Sequence, residues 1–479
     1  MMIEPTMKPN QAWKTRSLAH VWHPCTQMRD HAGDDDGAPI PMLPIASAEG
    51  VWLQDFEGRR YLDAISSWWT NIFGHRHPHV VARLKAQLDR LDHVMLAGFT
   101  HAPAVELAER LCALTPPGLN RVFYAGDGSS AVEIALKMSA HYWRNCGQPQ
   151  KTQFITLENG YHGETLGAMA VDGVDAYRAD YAPLLMQAIF VPSPDCYDRP
   201  PGVSWEDHSR RQFKHMETAL ARHADTTAAV ILEPLVQCAA GMRMYHPVYL
   251  KLLREACDRH HVHLILDEIA VGFGRTGRMF ASDWVEPVLD AAGTGTRPFS
   301  SDFMCLSKGL TNGTLPLSCV LTTDDVYHAF YDDHASHKAF LHSHSYSGNP
   351  LACSAALATL EIFEQEDWMA RNRRTAALMW SGMSPLLQHP HVAEIRTQGM
   401  ILAVEMMANR RSRTPYPPAE RRGLRAYRHA MTADQHTGVL LRPLGDVIYL
   451  MPPYVVTAEE VGLMCRTAID SIAHATGND

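Results

Sequence analysis

The stretch His-Leu-Ile-Leu-Asp-Glu-Ile at residues 263–269 is a short apolar run that ends in two carboxylates. Similar continuous runs occur at 154–157, 228–232 and 303–306, separated by helical or loop segments. Apolar runs without polar alternation are typical of parallel strands that are covered on both faces. The pattern therefore predicts an α/β fold, in which a large domain contains a doubly wound, mainly parallel sheet.

Both ends of the chain predict a second, smaller domain. Alternating segments on either side of Gly58 predict a hairpin near the amino terminus. After Pro350, a long helical pattern leads into apolar segments that predict strands. We expect these parts to form one small α+β domain from residues 1–75 and 346–479, with the large domain at 76–345.

The overall composition indicates a large globular protein. The chain has 479 residues, of which 46% are hydrophobic, enough for a large core and for two or more domains. Its 43 basic and 52 acidic residues give a formal net charge of −9, which favours neither nucleic acid nor anionic membranes as partners. The amino terminus lacks the apolar centre of a secretory signal, so a cytoplasmic location is expected.

Lys308 and Asp267 are the leading candidates for chemistry. Each lies at the C-terminal end of a predicted buried strand, where sheets of this kind bind their ligands. Pyridoxal phosphate requires an amine that forms a Schiff base and a carboxylate that keeps the pyridine nitrogen protonated. A lone lysine beside glycine usually indicates a solvated turn, but the pair together suggests a pyridoxal phosphate site.

The segment 121–137 reads as a strand, a glycine turn and the start of a helix, which is a candidate phosphate site. The amides of Gly128 and Ser129 would point at an anion on the positive end of the helix dipole. The glycine spacing also loosely matches a dinucleotide fingerprint, but position 148, where an acidic residue is needed, is Gln. An ordinary turn capped by Ser129 is the remaining alternative.

Several other side chains are candidates for ligand contacts. Tyr161 follows an apolar run and offers a flat face for a heteroaromatic ring, although a single aromatic residue more often packs in a core. Arg275 and Arg442 have glycine or proline neighbours and can bind a carboxylate through two hydrogen bonds, although most arginines are solvated. Trp68 and Trp69 are adjacent, so in an alternating element one would face the core and the other a pocket.

Other catalytic classes lack their motifs in this sequence. Asp267 could hold magnesium in a nucleotide hydrolase, but there is no G-x-x-x-x-G-K-[ST] loop. His162 and Glu164 match part of a zinc deaminase motif, but no Pro-Cys-x-x-Cys follows. Neither H-E-x-x-H nor G-x-S-x-G is present. The ten cysteines include no Cys-x-x-Cys pair, so neither a metal site nor a disulfide framework is expected.

Six segments carry a resemblance to a known family. They are His-Val-Trp-His-Pro (20–24), Ser-Ser-Trp-Trp (66–69), Glu-Pro-Leu-Val-Gln with Gly-Met-Arg-Met-Tyr-His-Pro (233–247), Asp-Glu-Ile-Ala-Val-Gly-Phe-Gly-Arg-Thr-Gly (267–277), Leu-Ser-Lys-Gly-Leu-Thr (306–311) and Tyr-Leu-Met-Pro-Pro-Tyr (449–454). Together they closely resemble the class III aminotransferases, which are fold type I enzymes dependent on pyridoxal phosphate. The paired tryptophans and the last segment are more particular to members that aminate 8-amino-7-oxononanoate in biotin biosynthesis.

The resemblance implies a set of cofactor-binding residues. They are Gly128, Ser129, Tyr161, Asp267, Lys308 and Ser345. By this likeness, Lys308 forms the internal aldimine with pyridoxal phosphate, Asp267 pairs with the pyridinium nitrogen, and Tyr161 stacks near the ring. The family's dimer completes each active site from the neighbouring subunit, which assigns Ser345 to the phosphate of the other subunit. A homodimer with shared active sites is therefore expected.

The resemblance also implies substrate-binding positions. They are Cys25, Trp68, Trp69, Arg275, Ser343 and Arg442. The tryptophans would line the substrate cleft, and the arginines would contact the carboxylate of the keto acid. Two positions depart from the common family pattern: Cys25 stands where a tyrosine often reaches the substrate amine, and Ser343-His344-Ser345 stands where Gly-Pro-Thr is frequent.

The implied reaction is ping-pong transamination of 8-amino-7-oxononanoate to 7,8-diaminononanoate, with S-adenosylmethionine as the expected amino donor. Lysine is an alternative donor. A general ω-aminotransferase acting on diamines or ω-amino acids is an alternative enzyme, and a non-catalytic cofactor-binding protein is an alternative from another class.

Overall fold

The computed structural model describes residues 8–31, 40, 42–291, 298–432, 434 and 436–477. The chain divides into two units. Unit 1 comprises Met1–His77 and Arg373–Asp479, and unit 2 comprises Pro78–Asn372.

The strands, numbered in chain order, are β1 (Ile45–Glu49), β2 (Trp52–Asp55), β3 (Arg60–Leu62), β4 (Leu119–Ala125), β5 (Gln153–Leu157), β6 (Ile189–Val191), β7 (Thr227–Leu232), β8 (Val236–Gln237), β9 (Arg243–Met244), β10 (His263–Asp267), β11 (Phe303–Leu306), β12 (Ser318–Thr323), β13 (Val392–Gln398), β14 (Ile401–Met406), β15 (Thr437–Val439) and β16 (Val447–Leu450). The helices are α1 (Pro9–His20), α2 (Ser66–Trp69), α3 (Pro78–Leu88), α4 (Ala102–Leu114), α5 (Gly128–Asn145), α6 (Leu166–Ala170), α7 (Asp175–Arg178), α8 (Trp205–His223), α9 (Val248–His260), α10 (Glu286–Ala291), α11 (Asp324–His328), α12 (Pro350–Gln365), α13 (Trp368–Met383), α14 (Arg422–Thr432) and α15 (Ala458–Thr476). Short 3-10 turns lie at Met28–His31, Ala179–Leu184, Ala281–Val285, Lys308–Thr311, His334–Ser336, Ser384–Gln388 and Pro418–Glu420.

The large sheet of unit 2 has the strand order β4-β12-β11-β10-β7-β5-β6. Strands β11, β10, β7, β5 and β6 pair in parallel, whereas β12 runs antiparallel to both of its neighbours. Every residue of β7, β10 and β11 is buried, as expected for strands that are covered on both faces. The prediction of a doubly wound, mainly parallel sheet is confirmed.

Helix α5 illustrates how local sequence sets the elements of unit 2. The Asp127 side chain accepts a hydrogen bond from the Ser130 amide at 2.9 Å, so the helix begins directly after the glycine turn. One face of the helix then packs in a core cluster that includes Ile134, Phe154 and Ile265. This packing fixes the N-terminus of α5 next to the carboxyl ends of the parallel strands.

The boundary between the units after Asn372 lies beyond the expected boundary at 345. The reason is helix α12, which packs on α3 and α4 and therefore belongs to unit 2. The helix starts sharply because the Asn349 side chain accepts hydrogen bonds from the amides of Leu351 and Ala352, at 3.0 and 3.1 Å.

Unit 1 contains two sheets, in the orders β1-β2-β3-β15 and β13-β14-β16. The predicted hairpin at Gly58 joins β2 to β3 in antiparallel pairing. Asp55 holds this turn, because its Oδ1 accepts hydrogen bonds from the amides of Glu57 and Arg59, both at 2.9 Å. Strand β15 pairs with β3 in parallel, so the two ends of the chain form one sheet.

None of the helices in the described ranges combines the length and apolarity needed to cross a bilayer. All ten cysteines lie in described parts of the chain, and all are free thiols. The extreme amino terminus, residues 1–7, lies outside the described residues.

Candidate active site

Asp267 and Lys308 lie at the ends of neighbouring parallel strands. Asp267 is the last residue of β10, and its partner in β11 is Cys305, three positions before Lys308. Only 3% of Asp267 is exposed, whereas Lys308 is half-buried and begins a 3-10 turn with φ of 45°. Burial lowers the pKa of Lys308. The charges of Cys238, Asp267 and Glu233 act in the opposite direction but have a smaller effect.

His162 is the direct partner of Asp267. Its Nδ1 lies 2.8 Å from Asp267 Oδ2, and the Ile269 amide donates to the other carboxylate oxygen at 3.1 Å. Burial lowers the pKa of His162, but the hydrogen bond and charge of Asp267 outweigh this effect and raise it overall. His162 Nε2 is buried and has no hydrogen-bond partner among the described residues.

Two more buried carboxylates surround this pair. Asp172 accepts a hydrogen bond from the His162 amide, and Glu233 accepts from the amides of Tyr161 and Cys238 at 3.0 and 2.9 Å. Burial raises the pKa of Asp172 to about 7 and that of Glu233 to about 8. Three carboxyl groups and one imidazole therefore share a buried, polar site.

The predicted phosphate turn lies at the N-terminus of α5, close to the same strand ends. A Cβ at Gly128 would meet Ile269 Cδ1 at 3.0 Å, so the turn packs against the segment after Asp267. The hydroxyl of Ser129 contacts Thr165 Oγ1 at 2.9 Å and accepts from the Thr165 amide at 3.0 Å. Gly163 has φ of 126°, and a Cβ there would lie 2.9 Å from Ser129 Cα. Only glycine allows this close approach.

Tyr161 lies next to His162 and is partly exposed. Its hydroxyl donates to Glu164 Oε1 at 3.1 Å, and its ring meets Tyr177 edge to face, with 5.3 Å between centroids. Burial raises the pKa of Tyr161, and the nearby Glu164 raises it further. The phenol is therefore neutral across the physiological pH range, and its ring is held in one orientation by both contacts.

Arg275 lies in a tightly constrained loop after β10. Only 1% of Arg275 is exposed, making it one of the largest fully buried side chains. Glu268 anchors the far end of this loop, because it accepts hydrogen bonds from the amides of Ala281 and Ser282 at 2.9 and 2.8 Å. Trp284 Nε1 also donates to the Thr276 carbonyl at 3.1 Å.

The paired tryptophans of unit 1 lie in a left-handed turn rather than in an alternating strand. Ser66, Ser67, Trp68 and Trp69 all have positive φ, between 46° and 75°. Trp69 is 4% exposed and donates through Nε1 to the Tyr449 hydroxyl at 3.1 Å, whereas Trp68 is 38% exposed. One tryptophan thus packs in the core and the other faces outward.

Arg442 lies over the exposed tryptophan of unit 1. Its Cζ is 4.1 Å from the centroid of the Trp68 ring, a cation-π contact that joins two predicted substrate residues. Cys25 is exposed, with φ of 52°. In unit 2, Ser343 and Ser345 are both exposed, and Ser345 begins the turn before α12.

Sequence reasoning missed the roles of Glu233, Asp172 and His162. The sequence did contain a signal for Glu233, because this carboxylate directly follows the apolar run of β7. In the structure, Leu232 at the end of β7 pairs with Leu266 of β10, so Glu233 lies beside Asp267. A carboxylate after a buried strand is the same signal that identified Asp267. His162 and Asp172 lie in loops far from Asp267 in sequence, so no local pattern reveals their contacts.

Comparison with known proteins places this fold and site in a family. A model described as aminotransferase class-III matches residues 34–475. The chain therefore belongs to the class III aminotransferases, and the expected fold type I architecture is confirmed.

Similar proteins cover nearly the whole chain. The adenosylmethionine-8-amino-7-oxononanoate aminotransferase of Geobacter sulfurreducens is 40% identical over 96% of this chain and 96% of its own length. The crystal structure of the enzyme with the same name from Methanocaldococcus jannaschii has a TM-score of 0.87 at 35% identity, and the alignment covers 96% of this chain and 98% of that one. A PLP-bound amine transaminase from an uncultivated Pseudomonas species has a TM-score of 0.83 at 33% identity, covering 95% and 98% of the two chains.

Proposed function

We propose that this chain is a pyridoxal-phosphate-dependent aminotransferase of biotin biosynthesis. The reaction would convert 8-amino-7-oxononanoate to 7,8-diaminononanoate, with S-adenosylmethionine as amino donor. The register of β10 and β11 carries the proposal for the chemistry, because it brings a carboxylate and an amine to adjacent strand ends. The printed names of the Geobacter and Methanocaldococcus relatives support the choice of substrate.

The residues of unit 2 suit pyridoxal phosphate. When bound, this cofactor supplies an aldehyde that takes up an amino group and a ring that withdraws electrons. Lys308 would hold the aldehyde, Asp267 the ring nitrogen, Tyr161 the ring face, and Gly128 with Ser129 the phosphate. Gly128 and Gly163 carry no side chain at positions where a Cβ would crowd Ile269 and Ser129, so neighbouring segments pack closely around the N-terminus of α5.

Protonation of the site residues fits transamination. A base must remove a proton from the donor carbon, and burial lowers the pKa of Lys308 in the direction that favours a neutral amine. Asp267 must remain ionised in a buried place, and the His162 Nδ1–H donated to it at 2.8 Å stabilises that charge. Donor and acceptor would react in turn, which predicts ping-pong kinetics.

The resemblance in sequence supports several side chains as substrate contacts. Arg275 and Arg442 offer guanidinium groups for the keto acid carboxylate, and Trp68 offers an aromatic face for its aliphatic chain. The second tryptophan, Trp69, would support the first from the core. Cys25 and Ser343 are also proposed to contact substrate, although each differs from the residue that the family commonly has at its position.

We also propose a cytoplasmic homodimer. Large apolar side chains of unit 2 are exposed in the single chain, including Leu341 at 92%, Tyr346 at 68% and Phe99 at 54%. Exposure on this scale near Ser345 supports a second copy as the partner. The free thiols support a reducing compartment.

A half-reaction assay tests the function. Purified protein with pyridoxal phosphate is mixed separately with S-adenosylmethionine, lysine or a simple diamine, and the cofactor absorbance is followed. We expect only S-adenosylmethionine to convert the cofactor, after which 8-amino-7-oxononanoate should restore it and yield 7,8-diaminononanoate by mass spectrometry. Conversion by the diamine would indicate a general ω-aminotransferase, and full turnover by a Lys308→Ala variant would refute the proposed role of Lys308.

A further inference from the structure

The left-handed turn at Ser66–Trp69 is an unfavourable conformation for its sequence. Its four residues have φ of 52°, 46°, 73° and 75°, and none is glycine. Non-glycine residues visit this region as single residues, since each Cβ crowds the following carbonyl oxygen. A run of four therefore persists only if surrounding groups hold it in place.

Asp63 is the main group that holds the turn. It is fully buried, and its Oδ1 accepts a hydrogen bond from the Ser67 amide at 2.9 Å. Its Oδ2 accepts from the Ser67 hydroxyl at 2.7 Å and contacts His75 Nε2 at 2.9 Å. One carboxylate thus fixes both the backbone and the side chain at the first half of the turn.

Both ends of the turn are also held by β16 and the residue that follows it. The Ser66 hydroxyl donates to the Met451 carbonyl at 2.8 Å, and the Met451 amide donates to the Ala64 carbonyl at 2.8 Å. Trp69 is tied to Tyr449 by its indole N–H. Trp68 is the exposed tryptophan of the turn, and Arg442 lies over its ring.

We propose that Asp63 is a positioning residue for substrate specificity, acting through the Ser66–Trp69 turn on the orientation of Trp68 and Arg442. This inference rests on the proposed function, in which these two side chains contact the keto acid. The carboxylate itself is fully buried, so we assign it no direct contact with substrate. Its loss should weaken substrate binding while leaving the chemical step intact, because Lys308 and Asp267 belong to the other unit.

Steady-state kinetics of Asp63→Ala and Asp63→Asn test the inference. We expect Asp63→Ala to raise KM for 8-amino-7-oxononanoate about tenfold, as for a lost hydrogen bond to a charged group, with kcat within about twofold of wild type. Asp63→Asn keeps one acceptor oxygen and should raise KM less. The double variant Asp63→Ala/Ser67→Gly should recover part of the lost substrate affinity, because glycine adopts positive φ without the hydrogen bonds from Asp63.

The matched control is Asp55→Ala, which removes another buried carboxylate that holds a turn of unit 1. This control should leave KM unchanged, which separates positioning from general loss of stability. If Asp63→Ala does not fold, the test uses Asp63→Asn, which should raise KM for 8-amino-7-oxononanoate while leaving kcat nearly unchanged. An unchanged KM, a fall in kcat alone, or an equal effect of Asp55→Ala would overturn the inference.

Hydrogen exchange of peptides covering 64–71 separates this inference from the proposed function. Hydrogen exchange needs no substrate. It therefore reports on the hydrogen bonds between Asp63 and the turn even if the wild-type protein does not turn over 8-amino-7-oxononanoate. Faster exchange in Asp63→Ala than in wild type and Asp55→Ala is the expected result. Identical exchange in all three proteins would show that Asp63 does not hold the turn.

Discussion

His162 Nδ1 and Asp267 Oδ2 lie 2.8 Å apart, with both side chains buried. An ionised carboxylate in such a place is stable only with hydrogen-bond donors, and His162 supplies one of them. Asp172 and Glu233 also lie near the imidazole, and both raise the pKa of His162, which favours its role as a donor. Under the proposed function, this hydrogen bond would hold the Asp267 carboxylate in place for a positively charged ring nitrogen.

Replacing His162 should weaken cofactor binding. We expect His162→Leu to raise the dissociation constant for pyridoxal phosphate by roughly tenfold or more, because a hydrogen bond to a charged group contributes about 1.5–3 kcal/mol. His162→Asn retains a donor near the Nδ1 position and should fall between wild type and His162→Leu. Equilibrium dialysis against free cofactor gives the constants. Equal affinities in all three proteins would contradict the role given to His162.

Glu233 should make stability depend on pH. Burial raises its pKa from an ordinary value of 4.5 to about 8, so between these values the folded protein keeps a proton that the unfolded chain has lost. The contribution of Glu233 to stability is thus greatest below pH 4.5 and falls as pH rises towards 8, by on the order of 5 kcal/mol. Thermal unfolding midpoints of the cofactor-free protein at pH 5.5, 7.0 and 8.5 measure this effect.

The Glu233→Gln variant provides the comparison. Its unfolding midpoint should decline less than that of wild type between pH 5.5 and 8.5, since glutamine does not titrate. Glu109→Gln, at an exposed position, should follow the wild-type profile. Parallel profiles for wild type and Glu233→Gln would mean that this carboxyl group is ionised throughout.

Lys151 should be important for the stability of unit 2. Its buried ammonium donates to the carbonyls of Ala224 and His261, both at 2.8 Å, and to that of Thr227 at 3.3 Å. The first two carbonyls lie just beyond α8 and α9, so one side chain caps two helices. Lys151→Met should cost about 3 kcal/mol and lower the melting temperature by several degrees.

A lysine in a surface ion pair is the matched control for Lys151. Lys338 contacts Asp332 at 2.6 Å with both side chains substantially exposed. Lys338→Met should change stability by less than about 1 kcal/mol, the usual range for exposed pairs. If calorimetry gave similar melting temperatures for both variants, the capping role of Lys151 would be wrong.

Substrate binding should be sensitive even to a conservative replacement of Arg275. Lysine keeps the charge but lacks the planar pair of donors that matches a carboxylate. We expect Arg275→Lys to raise KM for 8-amino-7-oxononanoate at least tenfold, on the order of 1.4 kcal/mol, with little change in kcat. Arg278→Lys, in the same loop but packed on Trp284, should behave like wild type. A wild-type KM in Arg275→Lys would remove Arg275 from the substrate site.

The main sheet of unit 2 could be predicted from sequence because its strands are buried on both faces. Their continuous apolar runs stand out from the helices between them, and ligands of such sheets bind at the carboxyl ends of the strands. This rule selects Asp267 and Lys308 as candidates, and the register of β10 and β11 brings them to neighbouring strand ends. The placement of α12 in unit 2 was not foreseen, since a helical pattern does not reveal which surface the helix packs on.

The rest of the candidate site depends on contacts between distant segments. His162 reaches Asp267 across 105 positions, and Asp63 holds a turn whose conformation contradicts local preference. The alternation rule suggested that Trp68 and Trp69 face opposite ways. They do, but through a left-handed turn that neither composition nor periodicity indicates.

The Asp63 carboxylate also limits how the tryptophan pair could be transplanted. Grafting Ser66–Trp69 alone onto another scaffold would deliver a loop that relaxes to right-handed geometry, turning the exposed indole away. A successful graft would have to bring residue 63, its imidazole partner at 75 and an acceptor equivalent to the Met451 carbonyl. A graft would therefore need several separate segments of the chain and not only the four residues Ser66–Trp69.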